Sequence, residues 1–321
     1  MEISENALIK GIKRFEAPSD RVIRGIGDDG AVVDMEQGSY VFVQDAMTEH
    51  IHFEFAFMEG YDIGRKAVYI NVSDILAMGA LPLYFMVTIG IPAKMSYRDI
   101  QQIYKGMRRA AKEFDILLLG GDTTETKTDF FIDVSMVGKI VTRHYFGRNR
   151  AGKGDLIAVT GVLGESAYGL SLLKEGRTDR GLMRFIRRYR APQPPYAVWK
   201  ELVKHDITTS MMDVSDGLII DLEKMMAESK KGARINLDQV PMPRLLKKES
   251  KESLALAGGE DYQFLFTFPP HKREALSSIT EMGFPISIIG KVDTGKGVRL
   301  FEKGKEKKIA QKGYEHFGDT A

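Results

Sequence analysis

The apolar positions of the chain follow two different periods, and each period predicts one kind of element. Apolar residues recur at helical spacing over residues 61–78 and 96–114, and Ser96 is placed to cap the second of these helices. Short apolar runs at residues 40–43 and 116–119 are typical of strands. Strands and helices alternate in this way through the chain, so the pattern predicts an α/β (α+β) fold.

A polar, basic and glycine-rich stretch at residues 142–154 separates two halves of this pattern. After it the alternation restarts with an apolar run at 155–160 and a helical pattern at 165–174. Stretches of this composition are typical of loops between domains, and 321 residues suffice for two domains of ordinary size. The sequence therefore predicts an N-terminal domain over residues 1–141 and a C-terminal α/β domain over residues 142–321.

Composition narrows the classes of protein that remain. Hydrophobic residues make up 43% of the chain and charged residues 28%, with a formal net charge of +2 and no cysteine. This balance is typical of a soluble globular protein and gives no bulk field for nucleic acid or a membrane surface. The absence of cysteine excludes disulfides, thiolate metal sites and a cysteine nucleophile. No apolar signal segment or membrane-length apolar run is present, so we expect a cytoplasmic protein without a nucleic-acid or membrane partner.

Aspartates recur at or near the ends of apolar runs, often beside glycine. A single aspartate in such a place is ordinarily a turn residue or a helix N-cap. Their number nevertheless favours a shared role, because Mg²⁺ prefers oxygen ligands and bridges carboxylates to substrate phosphates. The sequence therefore predicts a site for polyphosphate and several metal ions. The candidate ligands are Asp28, Asp29, Asp45, Asp74, Asp122, Asp213 and Asp216.

Basic residues in glycine-flanked segments are candidates for holding phosphate oxygens. They are Arg65, Lys139 and Arg148, and helix N-termini would add to the same effect. The chain lacks both a Walker A motif and the catalytic-loop motifs of protein kinases. Any ATP chemistry must therefore use another scaffold. His52 is a candidate substrate contact, although a lone histidine is more often structural.

Several motifs, taken in order, resemble the thiamine-monophosphate kinase family. Two segments, Asn-Val-Ser-Asp and Gly-Gly-Asp-Thr-Thr, are shared with the wider superfamily of aminoimidazole ribonucleotide synthetase. The His-Phe pair and the Gly-Glu-Asp-Tyr segment resemble the thiamine enzyme more specifically. The motifs are Gly-Asp-Asp at 27–29, Asp45, His-Phe at 52–53, Asn-Val-Ser-Asp at 71–74, Gly-Gly-Asp-Thr-Thr at 120–124, Asp-Val-Ser-Asp-Gly at 213–217 and Gly-Glu-Asp-Tyr at 259–262.

The resemblance implies a fold and an activity. The fold would be the two-domain aminoimidazole ribonucleotide synthetase-like fold, with the N-terminal sheets of two subunits paired in a homodimer. The N-terminal domain would bind ATP and metal and form the dimer. The activity would be ATP-dependent phosphorylation of thiamine phosphate to thiamine diphosphate, with several Mg²⁺ ions and ATP as co-substrate. Phosphoryl transfer would be direct, without a general base or a covalent intermediate.

The resemblance also implies roles for individual residues. The metal ligands would be Asp29, Gln44, Asp45, Asp74, Asp122, Asp213 and Asp216, and catalysis would be metal-assisted through Asp122 and Asp213. The ATP contacts would be Tyr104, Gly121, Asp122, Arg148 and Ser215. The contacts to thiamine phosphate would be His52, Glu260 and Phe317, with Tyr314 as a competing aromatic contact.

The chain departs from the family in one stretch beside Asp45. Val43 and Gln44 stand where the family usually has hydroxyl residues, and His50 stands where it favours a small one. Gln44 offers an amide oxygen, whereas the Val43 side chain offers no ligand. One metal ion would therefore have fewer protein ligands, or would be held through water.

Two alternatives remain open from the sequence. One is another ATP-dependent synthetase of the superfamily, of the purine-pathway type; the selenophosphate and hydrogenase-maturation branches are disfavoured because their cysteines are missing. The other is a non-catalytic nucleotide-binding or RNA-binding protein. Its best support is the basic helix at residues 180–190, for which a solvated or partner-facing surface is the simpler interpretation.

Overall fold

The computed structural model describes residues 11–15, 19–24, 32–33, 35–308 and 313–314. Backbone contacts divide the chain into two compact units, of which the first ends at Val141 and the second begins at Thr142, with residues 77–79 counted in the second. The predicted metal ligand Asp29 and the predicted substrate contact Phe317 lie outside the described residues. Their roles therefore stay predictions.

The first unit is built on a four-stranded sheet and two long helices. Its elements are β1 (Val22–Arg24), β2 (Val32–Val33), β3 (Tyr40–Thr48), α1 (Gly60–Ala77), β4 (Ala80–Pro92), α2 (Tyr97–Phe114), β5 (Leu117–Thr126) and β6 (Phe131–Ile140). The sheet has the order β3-β6-β4-β5, in which β4 and β5 are parallel and the other neighbours are antiparallel. Strands β1 and β2 form a separate antiparallel pair. The predicted mixed α/β character is confirmed in this unit.

Two glycines let α1 and α2 approach each other closely. A Cβ added at Gly64 would lie 1.9 Å from the Ile103 carbonyl oxygen, and one added at Gly106 would lie 2.0 Å from the Tyr61 carbonyl oxygen. Only glycine fits at both crossing points, because real Cβ atoms do not come that close to backbone oxygen. The predicted N-cap of α2 is confirmed: the Ser96 hydroxyl accepts the Asp99 N–H in a capping box.

Two strands of this unit are longer than the sequence predicted, and the difference changes where the acidic residues lie. Strand β5 continues through the Gly-Gly-Asp-Thr-Thr segment at residues 120–124, because those residues pair with residues 86–90 of β4. Strand β3 likewise continues past residue 43, paired with β6 to Thr48. The expectation that Asp45 and Asp122 follow the ends of strands was wrong: both lie within strands.

The second unit is built on a seven-stranded mixed sheet. Its elements are β7 (Leu156–Thr160), α3 (Glu165–Lys174), α4 (Met183–Arg190), α5 (Tyr196–Lys204), β8 (Ser210–Asp213), α6 (Leu218–Glu228), β9 (Gly232–Asn236), α7 (Arg244–Lys248), α8 (Ser253–Ala257), β10 (Phe264–Phe268), α9 (Arg273–Glu281), β11 (Ile286–Asp293), β12 (Gly297–Glu302) and β13 (Lys305–Lys307). The order is β13-β12-β9-β11-β7-β10-β8, and only β9 and β12 are parallel among the described neighbours.

The core of the second unit joins its sheet to its helices. Ile157 and Val159 of β7 lie in one buried cluster with Leu222 and Met225 of α6 and Phe185 of α4. Leu222 and Met225 belong to the apolar face that the helical spacing predicted. Both are buried, so this face of α6 packs into the core of the second unit. Among the described residues, none of the helices is both long and apolar enough to cross a membrane.

Candidate active site

The loop at residues 213–217 joins β8 to α6 and carries three of the predicted site residues. Asp213 ends β8 and is buried. Gly217 precedes the helix with a φ of 128°, a backbone conformation that favours glycine. Ser215 and Asp216 lie between them. A strand that ends directly before a helix places these polar residues at the helix N-terminus, where backbone N–H groups lack helical partners.

The side chain of Asp221 accepts hydrogen bonds from the backbone N–H groups of this loop. The sequence analysis did not identify Asp221 as a residue of the site. One oxygen of its carboxylate, Oδ2, accepts the N–H groups of Ser215, Asp216 and Gly217 at 3.1, 3.0 and 3.1 Å. The side chain is fully buried, and this burial raises the pKa of its carboxyl. The available signal was an acidic residue in the first turn of a helix that follows glycine. The N–H groups of Ser215, Asp216 and Gly217 are therefore occupied by a side chain of the protein itself.

Lys224 neutralises part of this acidic cluster. Its Nζ lies 3.1 Å from Asp221 Oδ1 and also forms an ion pair with the Asp216 carboxylate. Although burial acts to lower it, the pKa of Lys224 is raised by the hydrogen bond to Asp216 and the charge of Asp221. Asp216, which precedes α6, is thus paired with the ammonium group of Lys224, which lies within α6.

The loop at residues 258–262 is bonded to the 213–217 loop along its backbone. The Glu260 N–H donates to the Ser215 carbonyl at 2.8 Å, and the Tyr262 N–H donates to the Val214 carbonyl at 2.9 Å. Glu260 and Tyr262 both have left-handed backbones, with φ of 65° and 48°. Such conformations cost free energy in non-glycine residues and persist only where the surroundings impose them. The predicted substrate contact Glu260 is therefore fixed beside the predicted ATP contact Ser215.

Asp261 links the 258–262 loop to the N-terminus of α3. Its buried carboxylate accepts the Gly164 N–H at 2.5 Å and the Ser166 N–H at 3.2 Å, at the N-terminus of α3. Burial raises the pKa of Asp261 to about 7, against the opposing effect of these two hydrogen bonds. Sequence reasoning treated Asp261 only as part of a motif, since its partners lie almost a hundred residues away.

Residues 313–314 contact the same loop from the C-terminal side. The Tyr314 N–H donates to the Asp216 carbonyl at 2.9 Å, and a Cβ at Gly313 would lie 2.7 Å from that oxygen. Tyr314 therefore lies next to the 213–217 loop. Whether Tyr314 or Phe317 contacts thiamine stays open, because Phe317 lies outside the described residues.

In the first unit, His52 is held in one tautomer. Its Nδ1 accepts the Thr48 N–H at 3.0 Å, so the neutral ring carries its proton on Nε2. The His52 carbonyl accepts a hydrogen bond from Lys66 Nζ at 3.1 Å, and Lys66 is only 1% exposed. The loop that carries the predicted substrate contact is thus tied to α1.

The remaining predicted ligands of this unit lie on three different elements. Asp45 is on β3, Asp74 on α1 and Asp122 on β5, where Asp122 is exposed. Among the described residues, one group of three brings acidic or histidine ligand atoms within 4.8 Å of one another, namely Glu49, His50 and Asp129. Glu49 in that group already accepts the Phe130 N–H and Lys94 Nζ, both at 2.9 Å. The predicted ligands do not form such a group in the described part, and their role stays a prediction.

Gln44, the residue that departs from the family pattern, has a partner of its own. Its Nε2 donates to Asp133 Oδ2 at 2.5 Å, which leaves the amide oxygen as the atom that it would present to a cation. The other oxygen of Asp133 is buried and has no hydrogen-bond partner in the described structure. A buried carboxylate oxygen without a donor fits a cation, and Mg²⁺ takes oxygen ligands of this type. The Asp133 oxygen and the Gln44 amide oxygen are thus of the chemical type that Mg²⁺ binds.

Three residues predicted to contact ATP differ in their burial and in their structural role. Tyr104 is buried on α2, where burial raises the pKa of its hydroxyl, and it lines a cavity of about 270 Å³ with Phe15 and Met107. A Cβ added at Gly121 would lie 1.7 Å from the Val87 carbonyl oxygen, so the strand pairing itself requires glycine there. Arg148 is exposed and begins a short 3₁₀ turn.

The other basic candidates are already engaged. The Arg65 guanidinium donates to the Tyr69 hydroxyl at 3.1 Å and lies over the Tyr61 and Tyr69 rings. Lys139 forms an ion pair with Glu36. Both side chains thus have partners within the described structure, and their contact with phosphate stays a prediction. On helix α4, Arg184 and Arg188 lie 3.8 and 3.7 Å from the Glu165 carboxylate, which offsets part of the positive charge of this helix.

Family models match both parts of the chain. The model for the N-terminal domain of AIR synthase related proteins matches residues 27–140, and the model for their C-terminal domain matches residues 152–303. Together they cover most of the sequence. The fold and both of its parts therefore belong to the AIR synthase related class.

Curated relatives narrow this class. A thiamine-monophosphate kinase from Bacillus subtilis (strain 168) is 32% identical over 303 residues, which cover 91% of this chain and 93% of the relative. A thiamine-monophosphate kinase from Aquifex aeolicus (strain VF5) is 31% identical over 300 residues, which cover 91% and 92%. The chain belongs to the thiamine-monophosphate kinase family.

Solved structures agree with this assignment. The thiamine-monophosphate kinase of Stenotrophomonas maltophilia K279a superposes with a TM-score of 0.83 at 30% identity, over 95% of this chain and 98% of that one. The protein AaThiL, solved in complex with AMPPCP and TMP, superposes with a TM-score of 0.77 at 30% identity, over 99% of both chains. The hydrogenase maturation protein HypE, at 20% identity, shares the fold.

The buried carboxyl of Asp261 makes stability depend on pH. Its pKa is raised from 3.8 to about 7, so between these values the folded chain binds a proton that the unfolded chain releases. The free energy of unfolding should therefore fall as pH rises through this window, by up to about 1.4 kcal/mol per pH unit. Asp261→Asn should remove this slope, as measured by denaturant unfolding across the window. An unchanged slope in the variant would show that Asp261 does not titrate there.

Proposed function

We propose that this chain catalyses the ATP-dependent phosphorylation of thiamine phosphate to thiamine diphosphate. The observation that carries the proposal is full-length similarity to a relative solved with an ATP analogue and TMP, at 30% identity over 99% of both chains. The rigid pairing of the 213–217 and 258–262 loops supports it, because that pairing puts the predicted ATP contact Ser215 next to the predicted substrate contact Glu260.

Charge repulsion is the main barrier that such an enzyme must lower. Donor and acceptor are both phosphate anions, and two like unit charges about 4 Å apart repel by about 4 kcal/mol at an effective dielectric constant of 20. Bound Mg²⁺ supplies the positive charge that offsets this repulsion. The residues that would hold it are Asp29, Gln44, Asp45, Asp74, Asp122, Asp213 and Asp216.

The chain's own residues would orient the two reactants. Thiamine carries a permanent positive charge on its thiazolium ring, which the Glu260 carboxylate would attract. His52, with its ring proton on Nε2, would donate a hydrogen bond to the phosphate of the acceptor. Ser215 and Arg148 would contact ATP, and Arg148 is suited to phosphate because a guanidinium binds two oxygens at once.

No residue needs to act as a general base in this scheme. The attacking group is a phosphate oxygen that is already anionic, so no proton has to be removed from it. Catalysis then depends on alignment and charge neutralisation. We propose that the phosphoryl group passes directly from ATP to thiamine phosphate. The cytoplasm, where ATP is available, is the compartment that we propose, and cell fractionation would check it.

The purified protein should convert thiamine phosphate to thiamine diphosphate with ATP and Mg²⁺, as followed by chromatography of the products. Asp122→Asn and Asp213→Asn should lower kcat by about a hundredfold or more, because each removes a carboxylate that would hold the Mg²⁺ needed to neutralise the reacting phosphates. Asp115→Asn is a matched control, since the Asp115 side chain is 89% exposed in the same unit as Asp122.

One outcome would contradict the proposed function, and another would contradict only the role proposed for Asp122. Absence of product, together with turnover of a purine ribonucleotide precursor, would favour the other synthetase branch. Unfolding of Asp122→Asn, measured by circular dichroism, would instead indicate that this aspartate is structural.

We also propose that the chain forms a homodimer through the sheet of its first unit. Helix α1 covers one face of this sheet, where a Cβ at Gly138 would lie 2.5 Å from the Ile75 side chain. The opposite face exposes large apolar side chains, with Phe42 at 73% and Met86 at 47% exposure. Exposed apolar surface of this kind is typical of protein interfaces, and an equivalent face of a second copy would cover it.

Light scattering should therefore give twice the mass of one chain. Phe42→Glu should shift the protein to the monomer, because the glutamate would bury a charge in the interface. Met282→Glu serves as the control, since Met282 is 58% exposed at the C-terminal end of α9 and belongs to the second unit. A monomeric native protein would overturn the proposal.

A further inference from the structure

We propose that Asp221 is a positioning residue for the reaction. Its carboxylate holds the backbone of the 213–217 loop in the conformation that the reaction requires. The proposal rests on the proposed function for the roles of Asp213, Ser215 and Asp216. Asp221 itself touches backbone and Lys224 rather than substrate. Its part is to fix where the neighbouring functional side chains lie.

The first argument is the convergence of three consecutive N–H groups on one oxygen. The amides of Ser215, Asp216 and Gly217 all lie between 3.0 and 3.1 Å from Asp221 Oδ2. Consecutive amides pointing at one place form a concave anion site, and the N-terminus of α6 adds its dipole. In many phosphate-binding proteins such a site receives the ligand. Here a fully buried side chain of the protein fills it.

The second argument is what this arrangement excludes. Because the three amides are occupied, they cannot receive a phosphate group of ATP or of the acceptor. Phosphate oxygens near this loop must then be held by groups other than these three amides. Such a division agrees with the two metal ligands predicted within the loop, Asp213 and Asp216, because a cation bound there would contact the phosphate in place of the backbone.

The third argument is the link from Asp221 to both functional loops. Its second oxygen, Oδ1, accepts from Lys224, and the same Nζ pairs with the carboxylate of Asp216. The peptide units whose N–H groups bind Asp221 are continuous with the Ser215 and Val214 carbonyls that accept the Glu260 and Tyr262 amides. A shift of the 213–217 backbone would therefore move Asp216 and Glu260 together.

The test uses the full-length protein and compares Asp221→Asn with a matched control, Asp155→Asn. Asp155 is also a buried aspartate of the second unit, and its Oδ2 accepts the Gly152 N–H at 2.9 Å and the Thr209 hydroxyl at 2.8 Å. Asp221→Asn should weaken binding of AMPPCP with Mg²⁺, measured by calorimetry, by about tenfold or more, as losses in supporting residues do. Asp155→Asn should lower the melting temperature and leave this binding within about twofold of the native protein.

Binding of Asp221→Asn within about twofold of the native protein would overturn the proposal. Equal weakening by Asp155→Asn would also overturn it, since a general loss of stability would then explain both effects. The kinetic readout is separate: the KM values for ATP and for thiamine phosphate should both rise in Asp221→Asn, because both loops move.

Amide hydrogen exchange tests the positioning even if Asp221→Asn fails to fold or the proposed reaction is not found. In the native protein the amides of residues 215–217 should exchange far more slowly than the amide of the exposed Gly295, which donates to the Asp293 carboxylate at 2.8 Å. Rapid exchange of all three amides would contradict the role of Asp221. Slow exchange without kinase activity would leave that role standing and reject the proposed function instead.

Discussion

Backbone amides at helix N-termini, each satisfied by a buried carboxylate, hold the second unit's functional loops in place. Asp221 does this for the 213–217 loop at α6, and Asp261 does it for the 258–262 loop at α3. Leaving such amides unsatisfied would cost about 1–3 kcal/mol for each buried group, so the two carboxylates tightly restrict the backbone. The left-handed Glu260 and Tyr262 persist because both ends of their loop are fixed in this way.

The loops held by these carboxylates carry an excess of negative charge. A reaction between two phosphate anions requires positive charge, yet the loops present mainly carboxylates. Lys224 offsets two of them in the structure, at Asp216 and Asp221. The remaining acidic residues fit hard cations, which prefer oxygen ligands. In the proposed mechanism the backbone would set the shape of the loops, and cations bound by the acidic side chains would neutralise the reactants.

Signals that span only a few residues of the sequence were enough to predict the helices and one of their caps. The capping box of Ser96 and Asp99, the helical spacing of α1 and α2 and the apolar face of α6 are all read within a few residues. Long-range pairing was not readable. Strand β5 extends through its glycines only because β4 lies beside it, and Asp261 finds its amide partners at Gly164 and Ser166.

Asp221 is a different case, because its partners are four to six residues away and its role could have been inferred from a helix N-terminus rich in unpaired amides. The candidate site residues came from family resemblance, and the structure adds the contacts that hold them. The roles assigned to Asp45, Asp74 and Asp122 depend on ligands that the chain would bind, which sequence periodicity does not report. Their assignment to metal remains a prediction.

The central claim, direct transfer of the phosphoryl group to thiamine phosphate, can be tested by stereochemistry. ATP whose γ-phosphoryl group is made chiral with oxygen isotopes would serve as donor, and the configuration of the transferred phosphorus would be determined in the diphosphate product. A single in-line displacement inverts the configuration at phosphorus, and this is the result that we predict. Retention would mean an even number of displacements through a phosphorylated enzyme, and would contradict the account.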